Sequence, residues 1–149
     1  MKATRLAGVV SALLLGIAPL ACQAQMKIVL EDSARDAIGG RLAFAIKERI
    51  RTSAAFTLVP TLKEAIYRMS LVTLDDKSGY STVYSVVFSA WQPETGTWTY
   101  LTNIVGTCGT NRITECADGL VADADKVSEE PKAFYRAYFS NQGNQGKKQ

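Results

Sequence analysis

The side chains able to do chemistry are few in this 149-residue chain, and their types exclude much of it at once. There is no histidine, which rules out Ser-His and Cys-His activation of a nucleophile and the usual catalytic zinc sites. Cys108 and Cys116 have seven residues between them, too many for a Cys-x-x-Cys redox pair, and no second pair completes a zinc site. Their spacing suits a structural disulfide, worth about 2–3 kcal/mol for so short a loop in the chain-entropy model. The carboxylate pairs Glu31-Asp32 and Asp75-Asp76 fall at a strand end and a hairpin turn, where paired acids serve as solvated cap and turn residues. A two-carboxylate glycosidase needs its acids facing each other across a cleft, and a domain of this size offers little cleft. Asp118, Asp123 and Asp125 lack the alternating ligands, turn glycine and closing glutamate of a calcium loop and suit a solvated helix face. Gly106-Thr107-Cys108-Gly109-Thr110, followed closely by Arg112, has the outline of an anion cradle, with backbone N–H groups and a guanidinium converging on a phosphate or carboxylate. It lacks the Gly-Lys-Ser/Thr ending of a nucleotide loop, and a turn pinned by the disulfide accounts for the same residues. No enzymatic activity, metal or cofactor is expected.

The compartment is written at the start of the chain. Lys2 and Arg5 precede an almost wholly apolar stretch over 6–20, closed by Cys22-Gln23-Ala24, the pattern of a bacterial-type export signal. Cleavage after Ala24 leaves Gln25 as the first residue and releases the protein. Retention of Cys22 as a lipid-carrying first residue is the alternative, against which Pro19 stands where an aliphatic residue is usual. The apolar run falls short of the ~20 residues that cross a bilayer. Either route removes or caps Cys22 and leaves an even cysteine pair, as an oxidising compartment favours. Loss of the leader takes two of the 17 basic residues, leaving 15 against 14 acidic ones, which is no footprint for nucleic acid. The chain divides into a leader (1–24), a single domain (25–139) and a disordered tail (140–149) of Asn, Gln, Gly and Lys.

The elements that must position these residues follow from periodicity. A short strand over 26–30 ends at Glu31-Asp32; Ser33 then caps a helix, with Asp36 in the capping-box position. Ile38, Leu42, Ala45, Ile46 and Ile50 form its buried stripe, whereas Phe44 points into the sector of Arg41, Lys47, Glu48 and Arg51. Gly39-Gly40 inside the helix costs roughly 1 kcal/mol per residue relative to alanine, so either close packing on the sheet or a helix break is expected. A second short strand over 56–59 precedes an antiparallel meander of strands over 62–74, 80–91 and 97–105, joined by turns at 75–79 and 93–96. Tyr67, Met69 and Leu71 face one way with Tyr84, Val86 and Phe88. Two helices close the chain, one over 113–127 and one capped by Ser128 that gathers Phe134, Tyr135, Tyr138 and Phe139 on one face. The fold class expected is α+β: a mostly antiparallel four- to five-stranded sheet, order β-α-β-β-β-β-α-α, with a long N-terminal helix and one or two C-terminal helices packed on it.

The opening strand with Asp32, Gly39-Gly40-Arg41-Leu42-Ala43, the basic end Arg49-Ile50-Arg51-Thr52-Ser53 and then Phe56-Thr57-Leu58-Val59 is similar to the amino-terminal domain of the TolB periplasmic protein. It also resembles the related domains of curli-secretion and penicillin-binding-protein-activator lipoproteins. The resemblance covers about thirty residues and implies a helix packed on a mixed sheet in a module that binds other envelope proteins. The chain departs from it in having no propeller and in carrying a disulfide loop. The expected function is therefore that of a non-catalytic exported accessory or adaptor protein. Phe44, Arg41, Arg51, Tyr135 and Tyr138 are its candidate partner contacts, because arginines and rings are the usual interface anchors. The partner is an envelope protein or a second copy, with membrane contact only if Cys22 carries lipid. A small-ligand or anion binder using Arg112, or a secreted inhibitor, is the alternative.

Overall fold

Where the first helix returns the chain decides the sheet. The computed structural model describes residues 25–145; the expected leader, with its alternative processing at Ala24 or Cys22, and residues 146–149 lie outside that range. The order is β1 (Met26–Ala34), α1 (Ala37–Thr52), β2 (Phe56–Leu58), β3 (Tyr67–Asp75), β4 (Ser81–Gln92), β5 (Thr97–Gly109), α2 (Ile113–Val127) and α3 (Glu129–Gln145). α1 carries the chain back to the start of β1, so Phe56 pairs with Met26 and β2 runs parallel to β1. β3 is also parallel to β1, on its other side, and only β3-β4 and β4-β5 are the antiparallel hairpins that the turn residues signal. The sheet, in order β2-β1-β3-β4-β5, is therefore mixed and not mostly antiparallel.

Register explains how two strands parallel to β1 are joined without a helix between them. Ile28 pairs with Leu58 on one side and with Tyr67 on the other, so β2 stops at the level where β3 begins. The chain crosses between them over residues 59–66, on the face opposite the helices, and lays Val59 and Ala65 on Val29. Turns closed by Glu64 N–H to Thr61 O and Ala65 N–H to Leu62 O occupy residues expected to lie in a longer strand.

The other face is the core. Ile28 and Leu30 of β1, Tyr67, Met69 and Leu71 of β3, and Val86 and Phe88 of β4 meet Leu42, Ile46 and Ile50 of α1 and Ala117 and Leu120 of α2. Phe56, Tyr67 and Phe88 stack in a row, with centroids 6.0 and 6.2 Å apart. Tyr67 donates from its hydroxyl to the Ala124 carbonyl at 3.2 Å and so ties the end of α2 to the sheet.

Two local assignments differ from expectation. β1 continues to Ala34 because Ser33 and Ala34 pair with Val72 and Thr73, so the cap of α1 is Asp36 and not Ser33. The Asp36 carboxylate accepts from Gly39 N–H at 2.7 Å, from Thr73 Oγ1 at 2.8 Å and from Thr82 Oγ1 at 2.9 Å, which gives two fully buried hydroxyls an acceptor. Burial alone would raise this carboxyl, but these bonds outweigh it and hold it below its ordinary value. α1 is unbroken through Gly39-Gly40, and Gly39 lies so close to the sheet that a Cβ would overlap the Thr73 side chain, whereas one at Gly40 would meet nothing within 4 Å. Ser128 also departs from its expected role: its hydroxyl donates to the Asp125 carbonyl at 2.7 Å and closes α2 instead of opening α3.

α3 is not laid on the sheet face. It crosses the strand ends, where Tyr135 donates to the Trp91 carbonyl and, at 3.3 Å, to that of Ile66. Its backbone stays helical to Gln145, past the expected tail boundary at Ser140. No helix among the described residues is long and apolar enough to cross a membrane.

Candidate functional site

α3 builds a recess in which several rings converge. Tyr135 is only 5% exposed and belongs to the core, which removes it from the expected partner contacts: its ring and hydroxyl dock α3 on the domain. Burial pushes its phenol up to about 12, so it stays a hydrogen-bond donor at any ordinary pH. The next turn is presented outward. Tyr138 is half-buried and stacks on Phe134, with centroids 6.0 Å apart, while Phe139 is 56% exposed. These two rings form one wall of an open groove of about 650 Å³. Leu62, Ala65 and Ile66 of the crossover and Trp91, Pro93 and Trp98 of the β4-β5 hairpin supply the rest, with the exposed Lys63 and Glu64 as its charged residues. Trp91 and Trp98 meet edge to face at 5.6 Å, and Arg68 lies 5.2 Å over the Trp98 ring, which holds that wall in place.

The other expected contact residues share one stripe of α1. Arg41, Phe44, Glu48 and Arg51 all face solvent, Phe44 at 64% exposure, and Arg51 pairs with Glu48. Phe44 thus lies on the outer side of a helix that covers the sheet, and Tyr138 on a helix that crosses the strand ends, so the expected contacts form two surfaces and not one.

The anion-cradle reading loses its loop. β5 extends through Gly109, with Gly106, Cys108 and Gly109 opposite Tyr84, Thr82 and Ser81, so these residues lie in an extended strand whose successive N–H groups point to opposite sides and do not converge on one anion. A Cβ at Gly106 would lie 2.7 Å from Cζ of Tyr84, so a larger residue there would have to displace that ring. Arg112 is exposed and donates from Nε to Glu115 at 2.8 Å, one arm of an ion pair that occupies its guanidinium. Cys108 and Cys116 are disulfide-bonded, with Cα atoms 6.2 Å apart, and fasten the end of β5 to the first turn of α2.

The carboxylates are dispersed. Glu31 faces Arg68 at 3.7 Å on the open sheet face, while Asp32 pairs with Lys47 of α1 at 2.7 Å on the other, so adjacent acids point to opposite sides. Asp75 and Asp76 accept from Lys77 N–H and Ser78 N–H, both at 2.8 Å, as turn residues. Asp118 pairs with Arg49 of α1, and Asp125 with Lys132 of α3. Among the described residues no group of three or more acids and cysteines is arranged to hold a metal ion.

The groove's other wall was not among the sequence candidates. Trp91 and Trp98 flank the Pro93-Glu94-Thr95-Gly96 turn, and paired tryptophans across a hairpin were the available signal. Leu62 and Ala65 gave none, because residues 62–66 alternate like the strand that follows them.

No family model matches this chain, and no curated protein does. Among solved structures it is similar in fold to a DUF330 protein from Xanthomonas campestris, with a TM-score of 0.53 and 8% identity over 78% of this chain and 93% of that one. Looser similarities are to TolB from Acinetobacter baumannii, TM-score 0.46, 14% identical over 67% of this chain and 27% of TolB, and to a PelC dodecamer from Paraburkholderia phytofirmans. The latter has a TM-score of 0.43 and 17% identity, covering 73% and 89% of the two chains. At these identities the comparisons bear on fold alone.

Proposed function

We propose that this protein is a non-catalytic exported accessory protein of the bacterial cell envelope that works by binding another protein through the groove at α3. The observation that carries the reading is the chemistry of that groove: rings and aliphatic side chains from three elements, open to solvent along α3, with Phe139 half out of it. Exposed rings beside a recess are what a partner's apolar side chains seat against. The export pattern in residues 1–24 supports an envelope or extracellular location, lipid-anchored where Cys22 is retained. Phe44, with Arg41 and Arg51, offers a second contact on α1.

The reading is tested by affinity capture from the envelope of the source bacterium, with Tyr138→Ala and Phe44→Ala run beside the wild type. A discrete partner retained by the wild type and lost in Tyr138→Ala is expected; capture of nothing at native abundance contradicts the reading. A small apolar ligand is the second reading, because about 650 Å³ falls within the range of ligand pockets. Native mass spectrometry of the purified protein separates the two, since a ligand adds a defined small mass.

A further inference from the structure

β5 is an outer strand of the sheet, bonded to β4 on one side only among the described residues. Its 13 residues, TWTYLTNIVGTCG, contain no charge and no proline. At about 3.3 Å per residue they present roughly 43 Å of unpaired backbone donors and acceptors. Edge strands are ordinarily made safe by shortness, lysine, proline or a bulge that twists them away. The opposite edge follows that rule: β2 is three residues long and Pro60 follows closely. β5 has only the irregularity opposite Phe88/Ser89, and residues 102–109 beyond it pair without interruption. Alongside them the open face exposes Val105 at 64%, with Val83, Val72 and Leu74 also exposed on the neighbouring strands.

We propose that β5 pairs antiparallel with β5 of a second copy of this chain, joining two five-stranded sheets into one of ten strands. A second copy fits because a strand without charges meets itself with no like-charge clash in any register, and because it offers a charged partner strand nothing to pair with. Antiparallel pairing about a two-fold axis also sets residues of the same face opposite one another: with the axis at Val105, that residue meets its like and Thr107 meets Asn103 on the open face, while Ile104 meets Gly106 on the helix side. The two exposed valine and leucine rows then run together into one apolar face. This names one partner for the protein-contact reading above and leaves Tyr138, Phe139 and Phe44 free for another.

The test is sedimentation velocity on residues 25–149, which retain every described core residue, at about 100 μM, enough to fill a site of micromolar Kd. Val105→Lys places a charge on the edge, and Val72→Lys places the same charge on the open face of β3, away from it. The wild type and Val72→Lys are expected to be dimers, and Val105→Lys to dissociate at least about tenfold more readily while keeping the wild-type circular dichroism. A monomeric wild type, or a dimer indifferent to Val105→Lys, overturns the pairing. A monomer that still captures its partner through Tyr138 overturns the pairing and leaves the adaptor reading standing, whereas a dimer that captures nothing supports the pairing and contradicts that reading.

Discussion

Neighbouring glycines in α1 have opposite roles, and substitution shows it. Gly39→Ala drives a methyl into Thr73 and is expected to destabilise the protein by about 1–3 kcal/mol, whereas Gly40→Ala meets open space and is expected to stabilise it by up to about 1 kcal/mol through helix propensity; urea unfolding measures both. Asp36 unites cap and core. Asp36→Ala loses the cap of α1 and leaves the buried Thr73 and Thr82 hydroxyls without their carboxylate, a cost of about 2–4 kcal/mol, while Asp36→Asn keeps much of the cap. Because the folded state lowers the Asp36 carboxyl from 3.8, its contribution is full above that value and is lost as pH falls through the depressed folded one. The difference in stability between wild type and Asp36→Asn should therefore shrink at the acid end of a pH series. Glycine's cost to the helix was legible in the sequence, and close packing on the sheet was one of its two readings. The cap was displaced because Ser33 and Asp36 both suit it locally, and the pairing of Ser33 with Val72, which removes Ser33 from the helix, is a contact between distant residues.

The elements were legible where the signal is local and misread where pairing is remote. Strand order along the chain, the alternation of Tyr67, Met69 and Leu71, both hairpin turns and the bounds of α2 follow from periodicity and turn chemistry, and the structure has them. The parallel pairing of β1 with β2 and β3 has no local signature, since it depends on α1 bringing Phe56 level with Met26. The same holds for α3: four rings on one face say that it docks, but only the strand ends at Ile66 and Trp91 say where. Tyr135→Phe should cost about 1 kcal/mol, because the Ile66 carbonyl keeps its bond from Trp91 N–H, and Tyr135→Ala about 3–5 kcal/mol, with faster hydrogen exchange confined to α3. Replacing Cys108 and Cys116 together by alanine should lower stability by about 2–3 kcal/mol without moving the groove, which lies at the other end of the strands; urea unfolding and retained partner capture check the two halves of that statement.

At the scale of the whole molecule, three helices leave one sheet face largely uncovered, one sheet edge long and uncharged, and one end of the sheet walled by rings. With 17 basic residues against 14 acidic ones the chain has little long-range field to steer a charged partner, which fits the proposed contact by shape and apolar area. The proposal that the protein acts by contact draws on what the sequence lacks, histidine above all, and on the exposed rings of the fold. The proposed place of contact was only half legible, because Tyr138 stands out in the sequence as one of the rings on α3, while the groove beside it is assembled from residues between 62 and 139 that only the fold brings together. The most direct test places a photo-crosslinking amino acid in living cells at Tyr138, at Phe139 and, as a control, at Lys77 in the exposed β3-β4 turn. Discrete adducts with one envelope protein from positions 138 and 139, and none from 77, are the predicted result. Adducts absent from both α3 positions, in cells that export the protein normally, would contradict protein binding through the groove at α3.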